Sequence, residues 1–181
     1  MAEANTKPIV TITGMSGYIG SQTTLLFLKD GNYRVRGTVR DKNNAAKLAP
    51  LREAFGDELY NQLELVEVAD IMDKPAMAAA IMGSTYVVHI ASPFFLSEDE
   101  DALVTPAING TLAAMEACKA AGVSRCVVTS SGLAVYTMPD ADMPEGRVFN
   151  ESHWSNPDYK PAGYGAYPKS KTLAERAAWD F

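Results

Sequence analysis

The chain has 181 residues, 47% of them hydrophobic and 21% charged, and a net charge of −6. That length and balance fit one globular domain with an adequate core, and the acidic balance, without a Lys/Arg run, argues against a nucleic-acid partner. No apolar run is long enough to span a bilayer, two histidines exclude a histidine-rich metal site, and no metal is expected.

In chain order, the first eight residues, MAEANTKP, are polar, so no secretory signal is expected there. Ile9 to Ile12 is a short β-branched run that reads as a buried strand. It leads into Gly14, Gly17 and Gly20, spaced G-x-x-G-x-x-G, and then into an amphipathic run, Tyr18 to Asp30, that reads as a helix. Strand, glycine turn and helix in that order are the context of a dinucleotide-binding loop. Gly14 suits the tight turn, Gly17 close approach of the backbone to a pyrophosphate, and Gly20 close packing of helix on strand. Ser16, Tyr18 and Ile19 complete the loop and first helical turn, whose N–H groups are expected to face the phosphates. No Lys-Ser/Thr pair closes the motif, so a P-loop is not expected.

Tyr33 to Val39 alternates and reads as the second strand, with Arg40 at its end and Asp41 just beyond. Roughly 20 residues past the glycines, this position meets the adenosine ribose, where an acid suits NAD and an arginine the 2′-phosphate of NADP. Arg40, with Lys42 and Lys47 nearby, favours NADP(H); Asp41 keeps NAD open.

Ala45 to Gly56 reads as a helix, and Leu63 to Ala69 as the third strand. Asp70 follows, where that strand edge would meet the adenine; the alternative for Asp70 is a turn or capping acid. Pro75 to Met82 reads as a helix closed by Gly83, and Tyr86 to Ala91 as a nearly all-apolar fourth strand. Ala91 and Ser92 end it and are expected beside the cofactor's ribose and phosphates. His89 within it reads as a core histidine.

The acidic cluster Glu98 to Asp101 reads as the start of a helix running towards Gly122, which Pro106 and Gly110 are expected to bend. Arg125 to Ser130 reads as the fifth strand. Cys118 and Cys126 lack metal or redox spacing and read as two reduced core thiols of a cytoplasmic protein. Strand and helix alternate five times, predicting a Rossmann-type α/β fold: a parallel sheet flanked by helices on both faces.

The fifth strand ends in Thr129-Ser130-Ser131-Gly132, and open α/β sheets bind ligands at the carboxyl ends of their strands. A long polar stretch, Leu133 to Gly165, follows, of a length that suggests a function or partial disorder. Tyr167-Pro168-Lys169-Ser170-Lys171 then opens a last helix, with Tyr167 and Lys171 on one face. Reducing a carbonyl needs a hydride on carbon, which a nicotinamide supplies, and a proton on oxygen. Tyr167 is suited to give the proton, and a nearby Lys171 ammonium is expected to draw the phenol towards working pH and to bind the nicotinamide ribose. A serine at the strand end is placed to hydrogen-bond the carbonyl oxygen.

TITGMSGYIGS, GTVRDKNN, VHIASPF, VVTSSG, NESHWSNPDY and YPKSKTLAE occur in the order found in extended short-chain dehydrogenase/reductases. From Pro8 to Phe181 the chain resembles the dihydroflavonol reductases and cinnamoyl-CoA reductases of that family. The resemblance implies NADPH-dependent reduction of a small carbonyl substrate with Ser131, Tyr167 and Lys171 as the triad. It selects Ser131 over Ser130, assigns Arg40 and Lys47 to the 2′-phosphate, and Asp70 and Ile71 to the adenine edge.

Met15 stands where the family often has Ala. Such enzymes are far longer, and this chain stops inside the helix carrying Tyr167 and Lys171, so most of the C-terminal substrate domain is expected to be missing. Read as a natural short form, it exposes a sheet edge that invites a homo-oligomer. Two rival readings are a nucleotide-holding module without turnover and an NAD-linked sugar-nucleotide epimerase or dehydratase, which Arg40 disfavours.

Overall fold

The computed structural model describes residues 7–95, 97 and 99–181. Glu98, part of the acidic cluster above, lies outside them.

Five strands form one parallel sheet in the order β3-β2-β1-β4-β5. They are β1 (Ile9–Thr13), β2 (Arg34–Val39), β3 (Glu64–Glu67), β4 (Tyr86–His89) and β5 (Arg125–Val128). Among the described residues, six helices accompany them: α1 (Tyr18–Asp30), α2 (Ala45–Phe55), α3 (Asp57–Tyr60), α4 (Lys74–Ile81), α5 (Glu100–Ala120) and α6 (Tyr167–Asp180). This is the expected Rossmann-type arrangement.

β1 runs one residue further than its β-branched pattern, to Thr13, whereas β2 to β5 are shorter than theirs. Tyr33, Leu63 and Ala69 fall outside them, and Arg40 lies one residue past β2 rather than at its last position. Apolar side chains continue to pack where the ladder has stopped. Tyr33, for instance, joins an aromatic contact with Phe27, ring centroids 5.1 Å apart. The short helix α3 has no counterpart in the sequence reading. α5 runs unbroken through Pro106 and Gly110.

The chain divides into two compact units, Met1–Ala91 with Ala113–Val128, and Ser92–Leu112 with Thr129–Phe181. The first holds the sheet. Alternation along its strands supplies two cores. Val10 and Ile12 of β1 join Leu28, Val35, Val39, Leu48 and Phe55 in one. Val87 of β4 joins Met77, Ile81, Ala114 and Ala117 in the other. Successive residues of a strand face opposite ways, so a helix layer covers each face. Met15, in place of the usual alanine, is fully buried in the first core. A β-carbon on Gly37 would lie 2.5 Å from Met15 Cγ, so the bare backbone at Gly37 is what seats the larger side chain.

The second unit holds α6, the start of α5 and the stretch between β5 and α6. That stretch has three short 3₁₀ turns, at Gly132–Ala134, Asp140–Asp142 and Glu145–Arg147. Buried Ser155 ties it together. Its hydroxyl donates to Leu133 O at 2.8 Å and accepts from Thr137 N at 2.6 Å. Asn156 N donates to Thr137 O at 2.9 Å. The long stretch is thus ordered by main-chain pairing that its polar composition does not announce.

Candidate active site

The glycine loop lies at the carboxyl end of β1, in the first unit. Gly14 has φ +68, a left-handed conformation that favours glycine. A β-carbon there would lie 3.1 Å from Ala91 Cα, which puts candidate residue Ala91 against the turn. Gly20 is tighter still: a β-carbon would sit 2.2 Å from Gly14 O and 2.9 Å from Met15 Cα. Gly17 is the N-cap of α1 and has no side chain to cover the first-turn N–H groups. The bare cradle and the positive helix end suit a pyrophosphate. Tyr18 and Ile19 are exposed, and Ser16 is half-buried.

Two threonines that the sequence reading passed over shape this loop. Gly14 N donates to Thr38 Oγ1 at 3.1 Å, and Met15 N to Thr38 O at 3.1 Å. Thr13 Oγ1 accepts from Ile90 N and Ala91 N, each at 3.0 Å, and pairs with His89 Nδ1 at 3.0 Å. β1, β2 and β4 are therefore clasped where the loop begins. The buried His89 serves this clasp.

Arg40 and Lys47 are both exposed, Arg40 just past β2 and Lys47 in the first turn of α2. The Asp41 carboxylate accepts from Asn43 N at 2.7 Å and so closes its own turn. Asp70 does likewise, accepting from Met72 N at 2.9 Å. Ile71 beside it is half-buried.

Ser131, Tyr167 and Lys171 come together in the second unit. Ser131 caps the turn Gly132–Ala134, and Leu133 N donates to its Oγ at 3.2 Å. The Ser131 hydroxyl lies near enough to the Tyr167 phenol to lower its proton affinity. Tyr167 is the first residue of α6, followed by Pro168, whose fixed φ suits the first turn. The Phe94 ring meets the Tyr167 ring edge-on at 5.2 Å. One turn further on, Lys171 is only 6% exposed, and its Nζ donates to Thr129 O at 2.9 Å. Ser92, at the start of this unit, is half-buried.

Electrostatics here differ from the sequence expectation. Burial pushes the Tyr167 phenol above its ordinary value, and the Ser131 hydroxyl pulls it partly back. Burial pushes the Lys171 ammonium down, and the Glu175 carboxylate opposes that. Desolvation, which a sequence does not display, outweighs the charge pairing expected between Tyr167 and Lys171.

Among the described residues, no group of three or more His, Cys, Asp or Glu side chains is placed to hold a metal ion. Among the same residues, no helix is long and apolar enough to cross a membrane.

A parallel Rossmann-type sheet with this glycine turn and this Ser-Tyr-Lys cluster defines an extended short-chain dehydrogenase/reductase. Residues 11–179 match the 3-beta hydroxysteroid dehydrogenase/isomerase family, and the chain belongs to it. It is 37% identical over 183 residues to dihydroflavonol 4-reductase of Zea mays, covering 98% of this chain and 49% of that protein. It is 40% identical over 171 residues to cinnamoyl-CoA reductase 1 of Arabidopsis thaliana, covering 94% of this chain and 47% of that protein. Yeast methylglyoxal/isovaleraldehyde reductase Gre2, solved as its NADPH complex, superposes with a TM-score of 0.74 at 29% identity. That match covers 96% of this chain and 52% of Gre2. The chain thus spans about half the length of the curated relatives it matches.

Proposed function

We propose that this chain is the cofactor-binding part, residues 1–181, of an NADPH-dependent oxidoreductase that reduces a carbonyl group of a small organic molecule. The observation that carries the reading is the Tyr167–Lys171 pair at the start of α6, with Lys171 buried and its ammonium held by Thr129 O two residues before Ser131.

Gly14, Ser16, Gly17, Tyr18, Ile19 and Gly20 hold the pyrophosphate, with Ala91 and Ser92 beside the ribose and phosphates. Arg40 and Lys47 meet the 2′-phosphate, and Asp70 and Ile71 the adenine. Two observations support NADP(H) over NAD: the exposed Arg40 guanidinium, and the engagement of Asp41 in its own turn. The NADPH complex of Gre2 agrees with that choice.

When bound, NADPH supplies a hydride to the carbonyl carbon. Tyr167 gives its phenolic proton to the carbonyl oxygen. Burial keeps that phenol protonated at neutral pH, which is the form a proton donor needs. Ser131 holds the same oxygen as negative charge develops on it. Lys171 presents a buried positive charge that steadies the phenolate left behind, and binds the nicotinamide ribose.

The free thiols Cys118 and Cys126 support a reducing, cytoplasmic location. Nucleic acid and membrane are not among the partners proposed.

The test is NADPH consumption with a panel of aldehydes, ketones and thioesters, beside fluorescence titrations with NADPH and NADH. Preference for NADPH and turnover with at least one class support the reading. Tight binding without turnover would reduce the chain to a nucleotide-binding module.

A further inference from the structure

α6 carries more of the candidate site than its Tyr-x-x-x-Lys motif. Glu175 lies one turn beyond Lys171 on the same helix face, since residues four apart are neighbours on a helix surface. Both of its carboxylate oxygens are engaged. Oε2 accepts from the Ser130 hydroxyl, and Oε1 from the Trp179 indole N–H at 3.4 Å. Ser130 is the immediate neighbour of Ser131. Thr129, before it, accepts the Lys171 ammonium at 2.9 Å. The segment 129–131 is therefore fastened to α6 at two successive residues, Thr129 to Lys171 and Ser130 to Glu175, with Ser131 next in line.

We propose that Glu175 is a positioning residue of this site, fixing Ser130, and through it Ser131, against α6 while its negative charge keeps the buried Lys171 ionised. The proposal rests on the reading of Lys171 as the partner of Tyr167. A lysine in this seat is costly to charge. It is 6% exposed and, from the segment after β5, is met by the neutral carbonyl of Thr129. On α6, Tyr167 one turn before it and Glu175 one turn after it are its titratable neighbours on the same helix face. Tyr167 is neutral before proton transfer, which leaves the Glu175 carboxylate as the anion opposing desolvation. With its charge removed, the Lys171 ammonium gives up its proton at lower pH.

The direct test uses the whole chain with lysine isotope-labelled at Cε, followed by NMR across the alkaline range. The Lys171 resonance is the one that Lys171→Met removes. In Glu175→Gln, which keeps the shape and an acceptor for Ser130, its titration is expected to move to lower pH. In Trp179→Phe, which keeps the carboxylate, it is expected to stay. An unmoved Lys171 titration in a folded Glu175→Gln chain would overturn the proposal. If Glu175→Gln does not fold, Glu175→Asp, with the anion one methylene further back, carries the test. A smaller shift in the same direction supports the proposal, and none overturns it.

This titration needs neither cofactor nor turnover. A chain that reduces no carbonyl yet shows the shift would refute the reductase reading alone. Turnover without the shift would refute the role of Glu175 alone. In an active chain, Glu175→Gln should also move the alkaline limb of the reduction rate to lower pH, and Trp179→Phe should leave it in place.

Discussion

The Ser131 hydroxyl lies near enough to the phenol of Tyr167, 36 positions further along the chain, to lower its proton affinity, and itself receives the N–H of Leu133 at 3.2 Å. The serine thus acts against the burial that raises that affinity. Reduction needs the phenol protonated, so activity is present below the Tyr167 pKa and lost as pH rises through it. Ser131→Ala removes the lowering contribution. The alkaline limb of the reduction rate should move to higher pH, while kcat falls by about 10²–10³-fold, as for loss of one oxyanion donor. A pH–rate profile of the variant checks both.

Arg40 just past β2 is the candidate reader of the 2′-phosphate. A hydrogen bond to a charged group contributes about 1.5–3 kcal/mol, so Arg40→Ala should weaken NADPH binding by roughly 10–100-fold. NADH binding should be nearly unchanged. Parallel fluorescence titrations compare the two nucleotides.

Gly20 is fixed by sterics. Its added β-carbon would fall 2.2 Å from the main-chain oxygen of Gly14, and a backbone atom has little room to give. Gly20→Ala should cost about 1–3 kcal/mol of stability, the usual range for overpacking, and displace the loop. A lowered denaturation midpoint together with weakened NADPH binding is the expected result.

Glu100 opens α5 between Lys169 at 2.7 Å and Lys160 at 2.9 Å. The hydrogen bond from Lys169, then that from Lys160, holds its carboxyl at about 2 against an ordinary 4.5. A carboxyl lowered on folding stabilises the folded state above its unfolded pKa and loses that contribution as pH falls through the folded one. The loss should therefore fall between pH 4.5 and about 2. Glu100→Gln should flatten the stability profile in that window, measured by unfolding followed by circular dichroism.

Much of this was legible in the sequence because it is local. The β-branched run before Gly14, the glycine spacing and the alternation of strand with helix predict the sheet and the loop. Tyr167 and Lys171 announce themselves as an i, i+4 pair after Pro-compatible loop chemistry. α3 did not, because Asp57–Tyr60 is a single turn, too short to show a period.

The long-range features were hidden for a different reason. Thr38 meets Gly14 across 24 residues, and Ser130 meets Glu175 across 45. Such pairs depend on strand register and on how α6 docks, and neither is a spacing. The charge balance at Tyr167 was misjudged on the same ground. Proximity to Lys171 can be counted along the chain, but burial belongs to the fold.

The central claim is proton donation by Tyr167 during carbonyl reduction. Its most direct test incubates the chain with NADPH deuterated on its nicotinamide ring and an aldehyde it consumes, then weighs the alcohol by mass spectrometry. Deuterium should appear in the alcohol from the unsubstituted chain. Tyr167→Phe should form it at least about 10²-fold more slowly, the smallest loss expected for a general acid, while still binding NADPH. Deuterated alcohol formed at an undiminished rate by Tyr167→Phe would contradict the account.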